Sequence, residues 1–247
     1  MTLYLSRLTL RRDPPNDALK ALLDPDDAGR RADAHHRLLW TLFSDGRDRD
    51  RDFLWRAEPR GRFYVLSHRR PEPHGLFEAP EVKAFEPVLT KGDRLTFLLR
   101  ANATRSIPGE PLADGSGRRQ RGRTVDVAMH LLKDVPRRER SAEPASAPAR
   151  SQRAATRHDL ARQAAEEWIS AQGARHGFSV RDFTLEHYST VTLAGYRGPR
   201  KGEPRFGVFD MTGTVEVTEP DAFLIRLAEG FGRAKAYGCG LMLIRRG

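Results

Sequence analysis

The most restrictive feature of this sequence is an order of predicted secondary-structure elements that occurs twice. The first half predicts a strand at 3–10, a helix at 31–43, strands at 52–58 and 63–68, an ambiguous segment at 76–85 that can form a short helix, and a strand at 94–99. Alternating apolar residues indicate the strands, and apolar residues on one face indicate the helix. Strand, helix, strand, strand, helix, strand is the order of a ferredoxin-like domain.

The second half of the chain repeats this order. It predicts a strand at 123–130, a helix at 157–172, strands at 183–193 and 206–217, a helix that begins near Thr218, and a last strand at 241–244. We therefore expect an α+β fold of two tandem ferredoxin-like β-α-β-β-α-β domains, the topology that RRM domains also have. The first domain is expected at 1–104 and the second at 105–247.

The charge of the chain restricts its partners. Its 247 residues include 43 Lys and Arg against 33 Asp and Glu, a net charge of +10. This excess favours a polyanionic partner, either nucleic acid or an anionic membrane surface. No apolar run approaches the roughly 20 residues that span a bilayer, and the first residues lack the layout of a signal peptide. A single cysteine, Cys239, excludes an internal disulfide and a cysteine-rich zinc site. The composition predicts a soluble, cytoplasmic protein that binds nucleic acid and not a membrane.

Residues 134–157 are rich in Arg, Ala, Pro and Ser and contain almost no large apolar side chain. Such a segment buries too little apolar surface to offset the entropy that is lost on ordering. We predict a mobile insertion inside the second domain. Its arginines could contact nucleic acid, but a solvated linker is the favoured interpretation.

A glycine-rich segment precedes the last predicted strand. Its glycines permit positive φ angles and close approach to another backbone, and they are Gly230, Gly232, Gly238 and Gly240. Exposed N–H groups in such a loop, with Arg233 and Lys235 nearby, suit a phosphate. A tight helix-to-strand turn that packs the two domains together explains the glycines equally well.

Two adjacent histidines, His35 and His36, lie on the predicted first helix. The centre of its apolar face is near Leu39, and both histidines fall on the flanks of that face. Periodicity therefore does not decide which one is functional, and a histidine in such a place is more often structural than catalytic. Arg37 can face a substrate phosphate, or it can form an ion pair with Asp33 one turn earlier.

Three segments are more informative together than alone. They are RRADAHHRLLWTLF at 30–43, LLRANATR at 98–105 and GFGRAKAYGCGL at 230–241. Each resembles a segment of the CasE family of type I-E CRISPR systems. In that family a histidine followed by a Leu/Trp/Phe stripe lies on the first helix, an L-R-A-N segment closes the first domain, and a G-x-G-x-x-K-x-x-G-x-G-L loop precedes the final strand. The resemblance extends over the whole chain except its middle insertion.

The resemblance implies a CRISPR repeat-specific, metal-independent endoribonuclease. It would bind the repeat stem-loop, cleave precursor crRNA by 2′-hydroxyl attack and leave a 2′,3′-cyclic phosphate. The enzyme would stay on its product with the other subunits of the type I-E Cascade complex, and it would need no cofactor. No H-E-x-x-H or clustered D-x-D motif points to a metal mechanism instead.

The resemblance also implies which residues act. Counted back from the apolar stripe, the family's catalytic histidine falls on His36. Arg37 follows it directly, and this position alone makes Arg37 a candidate for stabilising charge on the phosphate. Histidine titrates near neutral pH and can therefore act as acid or base. Asp33 and Thr41 stand where members of the family often have a helping tyrosine or lysine. The second catalytic group is therefore open: either His36 acts with fewer helpers, or His35, Arg37 or a tyrosine from elsewhere fills the role.

Basic residues predict where RNA binds. The tip of the hairpin at 196–205 is the most basic cluster, and we expect its cations to bind the RNA backbone: Arg197, Arg200, Lys201 and Arg205. Arg105, Arg233 and Lys235 are further candidates. Residues 118–123 form another basic cluster, for which RNA binding and a solvated loop are equally favoured.

Two other functions fit part of the sequence. An RNA-binding subunit of a ribonucleoprotein without catalysis would share the charge and the fold, but it would have no use for His36. A DNA-binding regulator is less favoured, because no helix-turn-helix with a basic recognition helix is present in the pattern.

Overall fold

The computed structural model describes residues 2–13, 19–43, 51–110, 118–131, 147–193 and 203–246. Its strands are β1 (Leu3–Thr9), β2 (Phe53–Glu58), β3 (Arg62–Ser67), β4 (Glu81–Phe85), β5 (Arg94–Ala101), β6 (Thr104–Ile107), β7 (Arg123–Asp126), β8 (Phe178–Thr192), β9 (Arg205–Val217) and β10 (Met242–Arg246). Its helices are α1 (Lys20–Leu23), α2 (Ala28–Trp40), α3 (Val127–Leu131), α4 (Ala147–His176) and α5 (Pro220–Glu229), and Lys235–Tyr237 form a 3-10 turn.

The first sheet has the strand order β2-β3-β1-β4, and all its neighbouring strands are antiparallel. Helix α2 packs its apolar side chains against this sheet, in a core that includes Leu8, Leu39 and Phe63. Asp27 caps the helix, because its side chain accepts a hydrogen bond from the Arg30 amide at 2.8 Å. The helix that carries both histidines is therefore fixed at its start and along one face.

The segment at 76–85, which the sequence leaves ambiguous with a short helix as one possibility, contains a strand. Glu81–Phe85 form β4, which pairs with β1 in a register that places Val82 opposite Ser6. This edge strand is mostly exposed or half-buried, so its sequence carries little apolar alternation. Its conformation depends on pairing with β1, which local pattern does not reveal.

The second sheet has the order β10-β5-β9-β8 and is also antiparallel throughout. Helices α4 and α5 bury side chains in its core, among them Trp168, Ile169, Phe223 and Leu227. The two four-stranded sheets confirm the predicted α+β class and the tandem ferredoxin-like domains.

The strand predicted at 94–99 belongs to the second sheet, where it forms part of β5. It pairs with β9 along Arg94–Ala101 and with β10 on its other side. The sequence order alone assigns it to the first domain, but β4 already occupies the edge beside β1. We therefore propose a domain boundary within 86–93 in place of one at 104/105.

Helix α2 begins at Ala28 and strand β8 at Phe178, each a few residues earlier than predicted, and two further segments also differ in extent. The strand expected at 123–130 is limited to Arg123–Asp126, which pairs with β6 in a separate two-stranded ribbon, and the chain then enters α3. Helix α4 begins at Ala147 and not near Arg157, so its first turns occupy the end of the expected insertion. These turns are rich in Ala, Arg and Gln, which favour helix without an apolar stripe. Residues 134–146 of the insertion lie outside the described residues.

An apolar contact joins the two sheets. Leu54 and Leu66 of the first sheet are buried together with Leu241, which precedes β10. Helix α2 also packs against the 3-10 turn, and a side chain at Gly29 would overlap the Thr192 carbonyl at the end of β8. The junction therefore places the helix that carries His36 beside the glycine-rich segment.

Candidate active site

The three segments that the sequence singles out meet at this junction. The Arg233 amide donates to the Asn102 carbonyl at 3.1 Å and so joins the glycine-rich segment to residues 98–105. Asn102 is buried, and its side-chain amide donates to the Gly207 carbonyl at 2.8 Å. The 3-10 turn of the glycine-rich segment packs against α2 and β2 of the first domain. Segments from both sheets therefore contribute to one site.

His36 lies on α2 and is half-buried at the junction. Trp40, one turn later, donates its indole N–H to His36 Nε2 at 3.0 Å. A nitrogen that accepts this hydrogen bond carries a lone pair, so the neutral ring has its proton on Nδ1. Trp40 thereby fixes the tautomer and the orientation of the His36 ring.

The surroundings of His36 lower its pKa from the ordinary value of 6.5. Burial is the largest cause, and the positive charge of Arg51 is the next, with a smaller contribution from Arg37. Asp33 acts in the opposite direction but does not compensate. The neutral imidazole therefore predominates at pH 7, which is the form that a general base requires.

His35 has different surroundings from its neighbour. Its side chain is buried in the first domain, with its ring centroid 4.9 Å from that of Phe63 in an edge-on arrangement. Its Nε2 lies 3.2 Å from Asp24 Oδ1. Burial lowers the pKa of His35, although the Asp24 carboxylate raises it in part. The two histidines that periodicity leaves equivalent are thus a core residue and a residue of the junction.

Tyr237 is a member of the site that the sequence did not reveal. Its ring centroid lies 6.5 Å from that of His36 and 5.6 Å from that of Phe206. A phenol can donate or accept a proton, so Tyr237 is a candidate for the open second catalytic group. Its one signal in the sequence is an aromatic ring within a loop of small and basic residues.

Arg37 points away from the buried part of the site. Its side chain is 78 % exposed, and its Nη2 lies 2.9 Å from Asp33 Oδ2. This is the ion pair that the spacing of the two residues allows. To reach a substrate phosphate, Arg37 would have to exchange its carboxylate partner.

The glycine-rich segment packs against the first domain. All four predicted glycines have positive φ, and side chains at Gly230 and Gly238 would come within 2.7 Å of Leu54 and 2.9 Å of Trp55, both in β2. The turn that packs the domains together is therefore present, while phosphate binding by the loop stays a prediction. Lys235 donates from Nζ to the Glu229 carbonyl at 2.6 Å, at the end of α5.

A cleft of about 740 Å³ lies beside Tyr237. Arg205 and Arg233, both predicted to bind RNA, line it together with Arg121 and Arg123 of the other basic cluster. The remaining cations of the hairpin tip lie outside the described residues, and they are Arg197, Arg200 and Lys201.

A second cleft, of about 610 Å³, contains Arg105. Arg233 lines both clefts, so the predicted RNA-binding residues Arg105, Arg205 and Arg233 follow one another across the surface. Arg175 and Arg226 add positive charge to the second cleft, against the carboxylate of Glu167. A polyanionic chain could therefore meet cations along both clefts.

The described residues contain no group of three or more His, Cys, Asp or Glu side chains placed to hold a metal ion. None of the described helices combines the length and the apolar character needed to cross a bilayer.

The chain is similar in structure to several solved proteins. A structure of the CRISPR endoribonuclease Cse3 bound to a 19-nucleotide RNA has a TM-score of 0.59 and 20 % identity, covering 99 % of this chain and 100 % of that one. Cse3 of Thermus thermophilus bound to an RNA that represents a pre-cleavage complex has a TM-score of 0.56 and 22 % identity, with coverage of 99 % and 100 %. A chain of a CRISPR RNA-guided surveillance complex has a TM-score of 0.55 and 20 % identity over the same shares. At these identities the likeness establishes the fold.

Sequence comparison establishes the family. No curated protein matches the chain. The family model described as CRISPR associated protein matches residues 3–246, which is nearly the whole chain. The resemblance drawn from the three segments is confirmed at this level, and the chain belongs to the CRISPR associated protein family.

Proposed function

We propose that this protein is a metal-independent endoribonuclease that cleaves CRISPR repeat RNA. The observation that carries the proposal is the half-buried His36, which lies with Arg51 and Tyr237 where the two domains meet. Family membership and the similar fold of RNA-bound Cse3 support the same substrate class. Similarity to a chain of an RNA-guided surveillance complex supports a place in the type I-E Cascade complex, and a cytoplasmic location remains a prediction.

RNA supplies the nucleophile for this reaction. The 2′-oxygen bonds to the adjacent phosphorus, the bond from phosphorus to the 5′-oxygen breaks, and the product is a 2′,3′-cyclic phosphate with a free 5′-hydroxyl. His36, neutral at pH 7, accepts the proton of the 2′-hydroxyl. In the free protein His36 Nε2 accepts the hydrogen bond of the Trp40 indole N–H. The 2′-hydroxyl must therefore replace the indole as the hydrogen-bond donor to Nε2. Tyr237, whose ring centroid lies 6.5 Å from that of His36, is the candidate that would supply the proton the departing oxygen requires.

Cations position the RNA. The arginines of both clefts would bind phosphates of the stem-loop, together with the basic tip between β8 and β9. Arg37 can contribute charge near His36 once a phosphate replaces Asp33 as its partner. In this proposal, further phosphate ligands are backbone N–H groups of the glycine-rich segment other than those that already donate within the protein, such as those of Phe231 and Arg233.

The rival function is RNA binding without cleavage. It accounts for the arginine-lined clefts, but it gives no role to a histidine whose pKa is lowered and whose tautomer is fixed by Trp40. These two properties of His36 favour the enzyme.

Cleavage of the host's repeat RNA in excess EDTA tests the proposal. We expect cleavage to persist, with a cyclic phosphate on the upstream product, because the proton transfers require only protein side chains. A substrate with a single 2′-deoxy substitution just upstream of the cut is the matched control and should stay intact. Strict dependence on a divalent ion, or cleavage of the deoxy substrate, would exclude this mechanism.

A further inference from the structure

Arg51 is a half-buried cation that the sequence did not single out. Its Nε and Nη1 atoms are inaccessible to solvent and have no hydrogen-bond partner among the described residues. Guanidinium nitrogens removed from solvent are nearly always paired in proteins, because an unpaired charge loses its hydration without compensation. Burial lowers the pKa of Arg51, but a guanidinium remains protonated at neutral pH. Arg51 is thus suited to an anionic partner.

The location of Arg51 connects it to the candidate active site. It lies two residues before Phe53, whose ring contacts Trp40 edge-on at 5.4 Å between centroids. Trp40 in turn donates its hydrogen bond to His36. The 3-10 turn with Lys235 packs against both α2 and β2, so two cations and the histidine belong to one cluster.

The electrostatic effects within this cluster are mutual. The charge of Arg51 is one cause of the lowered pKa of His36, after burial. It also contributes to the lowered pKa of Lys235, after burial and Arg226. An anion bound among these groups would relieve repulsion between cations, and it would raise the pKa of His36 again.

We propose that Arg51 binds the scissile phosphodiester and stabilises the negative charge that develops on it during cleavage, an assignment that rests on the proposed nuclease function. A guanidinium can donate two parallel hydrogen bonds to the oxygens of a phosphate. Nε and Nη1 point to different sides of the group, so a parallel pair would combine Nη2 with one of them. Donors in a site removed from water stabilise a developing charge more effectively than donors in water. Arg37, exposed and paired with Asp33, lacks this advantage.

Single-turnover cleavage by Arg51→Ala tests the assignment. We expect the rate to fall by roughly 10²–10³-fold, as for the loss of one donor to a developing oxyanion. Arg62→Ala is the matched control, because Arg62 is exposed and lies opposite Glu58 in the register of the β2–β3 hairpin, at its turn. Its rate should stay within about twofold of the wild-type rate. Thermal melting of both variants verifies that they fold. Arg51→Ala removes no hydrogen bond of Nε or Nη1, since these atoms have no partner among the described residues.

A neutral linkage distinguishes phosphate binding from a general effect on the site. A methylphosphonate at the cut replaces one charged oxygen by a methyl group. The cleavage rate of wild type should therefore fall by most of the factor that Arg51 contributes. Arg51→Ala should then be slowed little further, and the two changes should be strongly non-additive. Additive losses, or an Arg51→Ala rate equal to wild type while His36→Ala is slow, would overturn the assignment and leave the nuclease function standing.

A binding measurement tests Arg51 even if the protein does not cleave RNA. Inorganic phosphate should raise the pKa of His36, followed by NMR of its ring, in wild type and not in Arg51→Ala. An identical response in both proteins would overturn the assignment, whereas absence of cleavage by wild type would overturn only the proposed function.

Discussion

His35 and His36 are adjacent in sequence, but the two substitutions to alanine should have different effects. His36→Ala should slow single-turnover cleavage by roughly 10²–10⁴-fold, the usual contribution of a positioned acid or base. RNA affinity should change little, because one imidazole binds few phosphates. His35→Ala should mainly lower the melting temperature, since it removes a ring packed between Phe63 and Trp55. Cleavage rates, RNA affinities and melting curves measured together separate the two effects. A His35→Ala variant that is stable but inactive would contradict this prediction.

The pH dependence of the rate provides the control for His36. In the free protein its pKa lies below 6.5, so with subsaturating RNA, where the rate reports the free protein, the neutral base is fully present above that value and is lost as pH falls through the lowered pKa. The wild-type rate should therefore be level near pH 7–8 and decrease on acidification, and His36→Ala should not show this titration. A rate that rises on acidification would instead assign His36 as the general acid.

Residue patterns could identify His36 only as one of two candidates, and family resemblance decided between them. The roles of Arg51 and Tyr237 could not be read from the sequence, because each depends on contacts between distant segments. Arg51 precedes β2, whereas Tyr237 lies more than half the chain away in the 3-10 turn. Apolar periodicity describes one element at a time, so it carries no information about which polar residues meet.

Among the elements, the glycine-rich segment gives a sharp test of packing. Gly238→Ala would adopt a φ of +76° and place a methyl group 2.9 Å from the Trp55 ring. Backbone strain and overpacking together should cost roughly 2–4 kcal/mol of the free energy of unfolding. Gly92→Ala has a φ of +93° with nothing within 4 Å, so it isolates the strain, about 1 kcal/mol.

Gly75→Ala is the control without either effect, because its φ is ordinary and nothing lies within 4 Å. It should be neutral or slightly stabilising. Chemical denaturation of the three variants measures the differences. Equal losses for Gly238→Ala and Gly92→Ala would mean that the segment is not packed tightly against β2.

Elements with strong periodicity were predicted well, and those without it were not. Helix α2 has apolar side chains at Leu38 and Leu39 on one face, and Leu42 continues this pattern just after the helix ends, so its existence followed from local pattern. Strand β4 and the first turns of α4 have no such signal. β4 is half-exposed at an edge, and the start of α4 is helical through residue preference without an apolar stripe. For both, the conformation depends on more than periodicity.

At the scale of the whole molecule, the number of domains was predictable but their boundary was not. The repeated order of elements requires two sheets, yet it does not say which sheet accepts β5. The answer depends on hydrogen bonds to β9 and β10, more than 100 residues later. Since β5 begins the second sheet and β10 completes it, this domain forms only when both ends of its sequence have come together. The site at the junction requires the same long-range closure.

The last prediction concerns the charge of the whole molecule. With a net charge of +10, repeat RNA should bind less tightly as salt rises, because bound cations release counterions from the RNA. Replacing the four cations of the β8–β9 tip by alanine should reduce the slope of log Kd against log salt, by roughly 0.7–0.9 for each phosphate that the tip no longer binds; these cations are Arg197, Arg200, Lys201 and Arg205. Binding titrations at several salt concentrations measure the slope.

A charge-preserving variant is the matched control for the tip. Changing its three arginines to lysine keeps every positive charge, so the salt slope should remain that of wild type even if affinity falls because lysine cannot donate bidentate hydrogen bonds. If the alanine variant also keeps the wild-type slope, the tip is a solvated loop. The RNA would then be held by the other cations of the clefts, among them Arg105 and Arg233.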